Sequence, residues 1–263
     1  MLWAAGAAAQ QPIVAPAPKQ AEFFSRTDFH LTAAWLGTLP SATLGTQIAA
    51  DRRFAWDTFW GGSIDVVDYV RGRLGVRIDY EAILGSEYQL FDPNQGNYTL
   101  EASASARLDR RTEVVGIFHH VSRHLSDRPK VRNPVAFNEL GLRILERIDW
   151  GRTTFDVDAE GGPVLARAYV DYAWLGDLNL TARVQVSDRV GLFAHAVGHL
   201  VGVNGDVPGR TTQSGGVVET GVRIKGTGGA LELFAGLEKL LDADPLDRQT
   251  QHWVLAGFRL LSR

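Results

Sequence analysis

From Arg73 to Glu81 the chain reads Arg-Leu-Gly-Val-Arg-Ile-Asp-Tyr-Glu, with Leu74, Val76, Ile78 and Tyr80 at alternate positions from Arg73, Arg77, Asp79 and Glu81. Successive side chains of a strand point to opposite sides of a sheet, so a period of two gives one apolar face and one ionic face. The pattern recurs along the chain. Tyr98, Leu100, Ala102, Ala104 and Ala106 alternate with Asn97, Thr99, Glu101, Ser103, Ser105 and Arg107. Leu178, Leu180, Ala182, Val184 and Val186 alternate with Asn179, Thr181, Arg183, Gln185 and Ser187. Val218, Thr220, Val222 and Ile224 alternate with Glu219, Gly221, Arg223 and Lys225. A tilted strand crosses a bilayer's hydrocarbon in about 9 to 11 residues, and these runs have that length. The chain reads as an all-β, antiparallel transmembrane barrel.

No window among the 263 residues approaches the roughly 18 uncharged apolar residues of a membrane helix. If the chain spans a membrane, it does so as strands. A net charge of −3 with 22% charged residues gives neither a basic surface for nucleic acid nor an acidic tail. The absence of cysteine removes disulfides, thiolate metal sites and lipid attachment through cysteine, and suits an exported chain. Leu2-Trp3-Ala4-Ala5-Gly6-Ala7-Ala8-Ala9 has the character of the end of a signal-peptide core, without a basic n-region. Residues 1–20 are therefore read as a signal-peptide remnant and flexible leader, and 21–263 as one barrel domain.

Strands are expected near 28–36, 53–70, 73–84, 96–107, 112–122, 133–147, 151–159, 177–187, 189–202, 213–225, 228–239 and 251–262, about 12 in all. Tight turns rich in Gly, Asp and Arg fall at every second junction, around residues 71–72, 109–111, 150, 188 and 226–227. Longer loops fall at the others, as at 85–95, 123–132, 204–212 and 242–250. Short periplasmic turns alternating with long extracellular loops, and an even strand number, are the rule for outer-membrane barrels. A further apolar run, Val164 to Trp174, would break that parity and is assigned to an outer excursion or a folded-over strand extension. Trp35, Trp60, Tyr69, Tyr98, Trp150, Phe155 and Trp253 lie near strand ends, where barrels carry aromatic girdles. Soluble sandwiches and lipocalin-like barrels also alternate, with the apolar face inward. Strand length, the count of twelve, the turn and loop alternation and the leader decide for the membrane.

On this reading Arg73, Arg77, Asp79, Glu81, Glu101, Arg107, Arg143, Arg183, Glu219 and Arg223 face the lumen. With acids and bases nearly balanced in a barrel narrower than the 16-to-18-stranded porins, they are expected to meet as an ion-pair network. The leading functional expectation is a structural barrel or a narrow, porin-like solute pore with a charged lumen.

The alternative rests on Phe118-His119-His120-Val121-Ser122-Arg123-His124-Leu125-Ser126-Asp127 at the outer end of the 112–122 strand. His120 and Ser122 are two apart and share a face, within reach of an imidazole accepting a hydroxyl proton. A His-x-Ser pair on a barrel strand resembles the lipid A deacylases, in which histidine is the base, serine the nucleophile and an acid orients the base. The resemblance implies that His120 and Ser122 take the first two roles, with Glu139 as the nearby acid, in an esterase acting on outer-leaflet lipid such as lipid A. The deacylase barrels have eight strands, and an asparagine follows their serine where Arg123 stands here. Glu139 alternates with Leu140, Leu142 and Ile144 and so should point into the lumen, while His120 and Ser122 share the face of Phe118 and so should point outward; if they point inward instead, they meet Glu139 inside the barrel. The longer His-x-Ser-x-His-Leu-x-Asp run also resembles a signature of an uncharacterised family of bacterial barrels. The last strand, with Trp253 and Phe258, resembles the C-terminal strand of bacterial outer-membrane proteins. His195 and His199 share a face but lie roughly 13 Å apart along a strand, too far to hold one ion. Asp92-Pro93-Asn94 and Asp242-Ala243-Asp244 read as turn chemistry rather than calcium sites. No resident cofactor or metal is expected. The expected partners are outer-membrane lipid and small solutes, not nucleic acid.

Overall fold

The computed structural model describes residues 17–38, 51–125, 135–246 and 248–262. The leader through residue 16 and most of the 123–132 loop lie outside the described residues. Twelve antiparallel strands close on themselves, with β2 (Thr27–Thr38) bonded on one side to β13 (Gln249–Ser262) and on the other to β3 (Trp56–Tyr69). Between them follow β4 (Gly72–Gly85), β5 (Asp92–Arg107), β6 (Thr112–Leu125), β7 (Val135–Trp150), β8 (Thr153–Ala168), β9 (Tyr172–Gln185), β10 (Val190–Val203), β11 (Gln213–Lys225) and β12 (Gly229–Asp244), each paired with its sequence neighbours. A two-residue strand, β1 (Glu22–Phe23), adds to the inner end of β3. All twelve expected strands are present.

The run from Val164 to Trp174 is a strand extension. β8 continues to Ala168 and β9 starts at Tyr172, so the loop expected between them shrinks to three residues with Tyr169 in the left-handed region (φ 57°).

The direction of the side chains settles what alternation alone left open. Leu74, Val76 and Ile78 are 45%, 41% and 57% exposed, whereas Asp79, Glu81, Glu101 and Glu219 are buried. The apolar face looks outward and the ionic face inward, the reverse of a soluble sheet and the arrangement that lipid demands. Replacing the outward Leu142 of β7 with arginine should therefore destabilise the folded barrel in vesicles by about 2–4 kcal/mol if it sits near the midplane. Urea titration in lipid checks this, and a shift below about 1 kcal/mol would place Leu142 away from the hydrocarbon.

Inside, the expected lumenal charges are paired. Arg73 bridges Glu113 (2.9 Å) and Asp65 (3.2 Å), Arg77 meets Asp79 (2.5 Å), and Arg107 meets Asp68 (2.8 Å). Arg143 meets Glu101 (2.8 Å), Arg223 meets Glu232 (2.9 Å), Arg259 meets Glu219 (2.9 Å), and Arg183 pairs with Asp156. Glu81 accepts from the Asn97 amide at 2.6 Å.

The outer end of the lumen is filled rather than open. β12 loses register between Leu240 and Asp244, with Asp242 in the left-handed region (φ 48°), and Leu240 to Asp244 turn inward as a buried segment. Its Ala243 carbonyl accepts from Gln95 (2.6 Å) and Arg123 (3.2 Å), which stand on strands across the barrel. Leu240, Leu241 and Ala243 pack among inward apolar side chains that include Phe137, Tyr172, Val201 and Trp253. Trp253 thus belongs to this internal plug and not to the outer aromatic girdle in which its position near a strand end had placed it. Asp242 pairs with Arg210 (2.5 Å) and Asp244 with Arg53 (2.8 Å), so both serve ion pairs within the plug.

Candidate active site on the outer wall

Near the outer end of the barrel, cross-strand register builds a row of outward side chains: Leu31, Trp60, Tyr80, Tyr98, Ser122, Ala136 and Ala168, each opposite the next across β2 to β8. Trp60 and Tyr80 rings stand 5.4 Å apart, Tyr80 and Tyr98 4.8 Å, and Tyr98 meets the His124 ring edge-on at 5.5 Å. Trp and Tyr favour the level where hydrocarbon gives way to headgroups. The aromatic part of the row gives way to Ser122 on β6.

Strand β6 presents Phe118, His120, Ser122 and His124 outward and His119, Val121 and Arg123 inward. Arg123, the residue that departs from the deacylase pattern, therefore turns away from Ser122 and is spent on Gln95 and the Ala243 carbonyl. The Ser122 hydroxyl is 3.0 Å from Nε2 of His124. Directly opposite His120 on β7 stands Asn138, and its Oδ1 lies 2.6 Å from His120 Nδ1. An amide oxygen can only accept, so Nδ1 carries the hydrogen and Nε2 is left as the basic nitrogen.

Glu139 points the other way. It is fully buried in the lumen, 3.7 Å from His119 Nδ1, and the sheet itself separates it from His120 and Ser122. The structure brings together His120, Ser122, His124 and Asn138, and does not bring Glu139 to them. The resemblance in the sequence points to an acid, and so to Glu139 rather than to Asn138. The signal was present: the parity that sends Glu139 inward sends its neighbour Asn138 outward, onto the face of His120. An ionised carboxylate on the lipid face would carry a desolvation penalty that a neutral amide largely avoids. His30, His119, His195 and His199 are buried in the interior, with His195 between Asn179 (2.9 Å) and Glu219 (3.4 Å) and His199 paired with Asp177, whereas His252 is exposed.

No family model matches the chain, and no curated protein matches it. Solved structures do. An outer-membrane phospholipase from Salmonella typhi, solved as a dimer with bound calcium, aligns with a TM-score of 0.53 at 12% identity over 95% of each chain. The fold is that of an outer-membrane β-barrel. Outer membrane phospholipase A from Escherichia coli, in a form with an active-site asparagine changed to alanine, gives a TM-score of 0.53 at 14% identity over 90% of this chain and 91% of that one. LpxR from Salmonella typhimurium gives 0.50 at 9% identity over 89% and 99%. At these identities the likeness establishes the architecture and leaves the chemistry to the residues.

Proposed function

We propose that this barrel is a serine hydrolase that cleaves acyl esters of membrane lipid from its lipid-facing wall, with Ser122 as nucleophile, His120 as base and Asn138 as the residue that orients the base. The observation that carries the reading is the 2.6 Å contact between His120 Nδ1 and Asn138 Oδ1 on the outward face. Many outward side chains are large and apolar and suit lipid, whereas a His–Asn pair beside a serine gains nothing from hydrocarbon. That an active-site asparagine is recorded for a phospholipase of the same fold supports the assignment. A pore is less favoured, because the plug at Leu240–Asp244 occupies the outer mouth.

In the reaction, rotation about χ1 swings the Ser122 hydroxyl from His124 towards His120, two residues along the same face. His120 Nε2 takes the hydroxyl proton as Oγ bonds to the acyl carbonyl carbon. The ester C–O bond then breaks, and the departing lipid alkoxide receives that proton from His120. Water, deprotonated by His120, releases the fatty acid from Ser122 and restores the hydroxyl. The products are a free fatty acid and a lysolipid.

The test is mass spectrometry of phosphatidylethanolamine and of lipid A, each incubated with the refolded full chain in the presence of calcium, beside the Ser122→Ala variant. Fatty acid and lysolipid released by the native protein alone are expected. Intact lipid with a folded native barrel would remove the hydrolase reading.

A further inference from the structure

Behind the outward His120 and Asn138, the same two strands present His119 and Glu139 to the lumen as a directly opposed pair. Glu160 of β8 joins them, and one ligand atom from each of the three lies within 4.8 Å of the others. His119 Nδ1 is 3.5 Å from Glu160 Oε1 and 3.7 Å from Glu139 Oε2. All three side chains are buried, and His119 and Glu139 are 0% exposed.

Two features set this cluster apart from the ion pairs around it. Neither oxygen of Glu139, nor Oε1 of Glu160, has a hydrogen-bond partner. Glu160 holds Arg143 on its other oxygen at 2.6 Å, while both oxygens of Glu139 are left to the long approach from His119, and a buried carboxylate so sparsely hydrogen-bonded is costly. In addition, the far nitrogen of His119, Nε2, lies 2.6 Å from Glu101, which Arg143 grips through two contacts of 3.1 and 2.8 Å. A carboxylate accepting from one imidazole nitrogen while the other faces ligands is the usual backing of a metal-bound histidine.

We propose that His119 Nδ1, Glu139 and Glu160 form a lumenal site for a divalent transition-metal ion, with Glu101 holding the imidazole in place. Bonds of about 2.0–2.1 Å in a tetrahedral site set ligand atoms about 3.4 Å apart, close to the two separations from His119, so small side-chain movements complete the geometry. Mixed nitrogen and carboxylate ligands suit zinc, manganese or iron rather than calcium. The charge also fits: Glu101, Asp158 and Glu160 share the guanidinium of Arg143, Glu139 lies 3.7 Å from His119, and a dication offsets the excess of carboxylates. Bound there, the ion ties β6, β7 and β8 together at the register that sets His120 opposite Asn138. The site does not depend on the hydrolase reading, since it lies on the other side of the wall.

The untagged full chain, refolded and stripped with a chelator, is titrated with Zn²⁺ against a competing chromophoric chelator and, separately, with Co²⁺ followed by its ligand-field absorption. One ion per chain is expected, with affinity at least tenfold lower in Glu139→Gln and about 10- to 100-fold lower in Glu101→Gln. Slower or faster migration of unheated samples on a denaturing gel shows whether each variant is a folded barrel, and Glu160→Gln replaces Glu139→Gln if the latter does not fold. A folded native barrel that takes up neither ion, or folded variants that bind as the native chain does, would overturn the site and leave His119 as a protonated partner of its carboxylates.

Discussion

Ser122→Ala should reduce lipid ester hydrolysis to background, and His120→Ala should lower it by about 10²- to 10⁴-fold, the range that general acid–base catalysis contributes. His124→Ala should change it by less than about tenfold. The contrast matters because the hydroxyl of Ser122 rests against His124 in the structure, not against His120. Two imidazoles flank one serine, and proximity alone would choose His124. The environment chooses differently. His120 has Asn138 on its Nδ1, which fixes both ring orientation and tautomer, whereas His124 is exposed and packs edge-on against Tyr98. A base must present the same nitrogen in every turnover, and only His120 is held to do so. Asn138→Ala should cost about tenfold to a hundredfold, because a neutral amide supplies position without the charge that an aspartate would add. Rates on monodisperse phospholipid in mixed micelles, with the same panel of variants, read these effects. A loss that followed His124 and spared His120 would move the base to the other histidine and detach Asn138 from the chemistry.

Much of the fold is legible in the sequence. The period of two marks the strands because a barrel wall has only two environments, and each residue from Arg73 to Glu81 must choose one. The alternation of tight turns and long loops gave the count of twelve because hairpins on one side are short for lack of function there. What the sequence withheld was the inside of the outer mouth. Leu240, Leu241 and Ala243 depart from alternation because the chain leaves the wall there, and a local break in pattern does not say that the segment crosses the lumen to Gln95 and Arg123. Trp253 was misassigned for the same reason, since a tryptophan at a strand end suits a girdle and a plug equally. At the site, parity pointed His120 and Ser122 outward and Glu139 inward but left an inward His120 and Ser122 beside Glu139 as the alternative, and the structure puts the two on opposite sides of the wall. Asn138, the residue proposed to orient the base, lies one position from Glu139 and is passed over because the resemblance calls for an acid.

Arg259→Leu should destabilise the barrel by about 3–5 kcal/mol, the cost of stripping one partner from a buried charge group. Arg259 stands between the outward Phe258 and Leu260 and is itself 0% exposed. Its guanidinium bridges Glu219 of β11 (2.9 Å) and Glu232 of β12 (3.0 Å), and lies 4.7 Å from the centre of the Phe234 ring. Glu232 in turn pairs with Arg223, and Glu219 with His195, so one guanidinium closes a chain of ionic contacts from β10 to β13. β13 is also the strand that meets β2 to close the barrel. Removing the arginine leaves two carboxylates facing each other in a confined space, and their repulsion acts on the closing strand. If that repulsion is the cause, and not the lost volume, then Arg259→Leu combined with Glu219→Gln, which leaves Glu232 to Arg223, and with Glu232→Gln as a third change should recover part of the stability, because the facing carboxylates are gone. The remainder is the cost of Arg223 losing its ion pair. Urea unfolding in vesicles separates the two. A triple variant as unstable as Arg259→Leu would mean that the guanidinium acts mainly by filling space under Phe234, and that the charges lining this half of the lumen are individually dispensable.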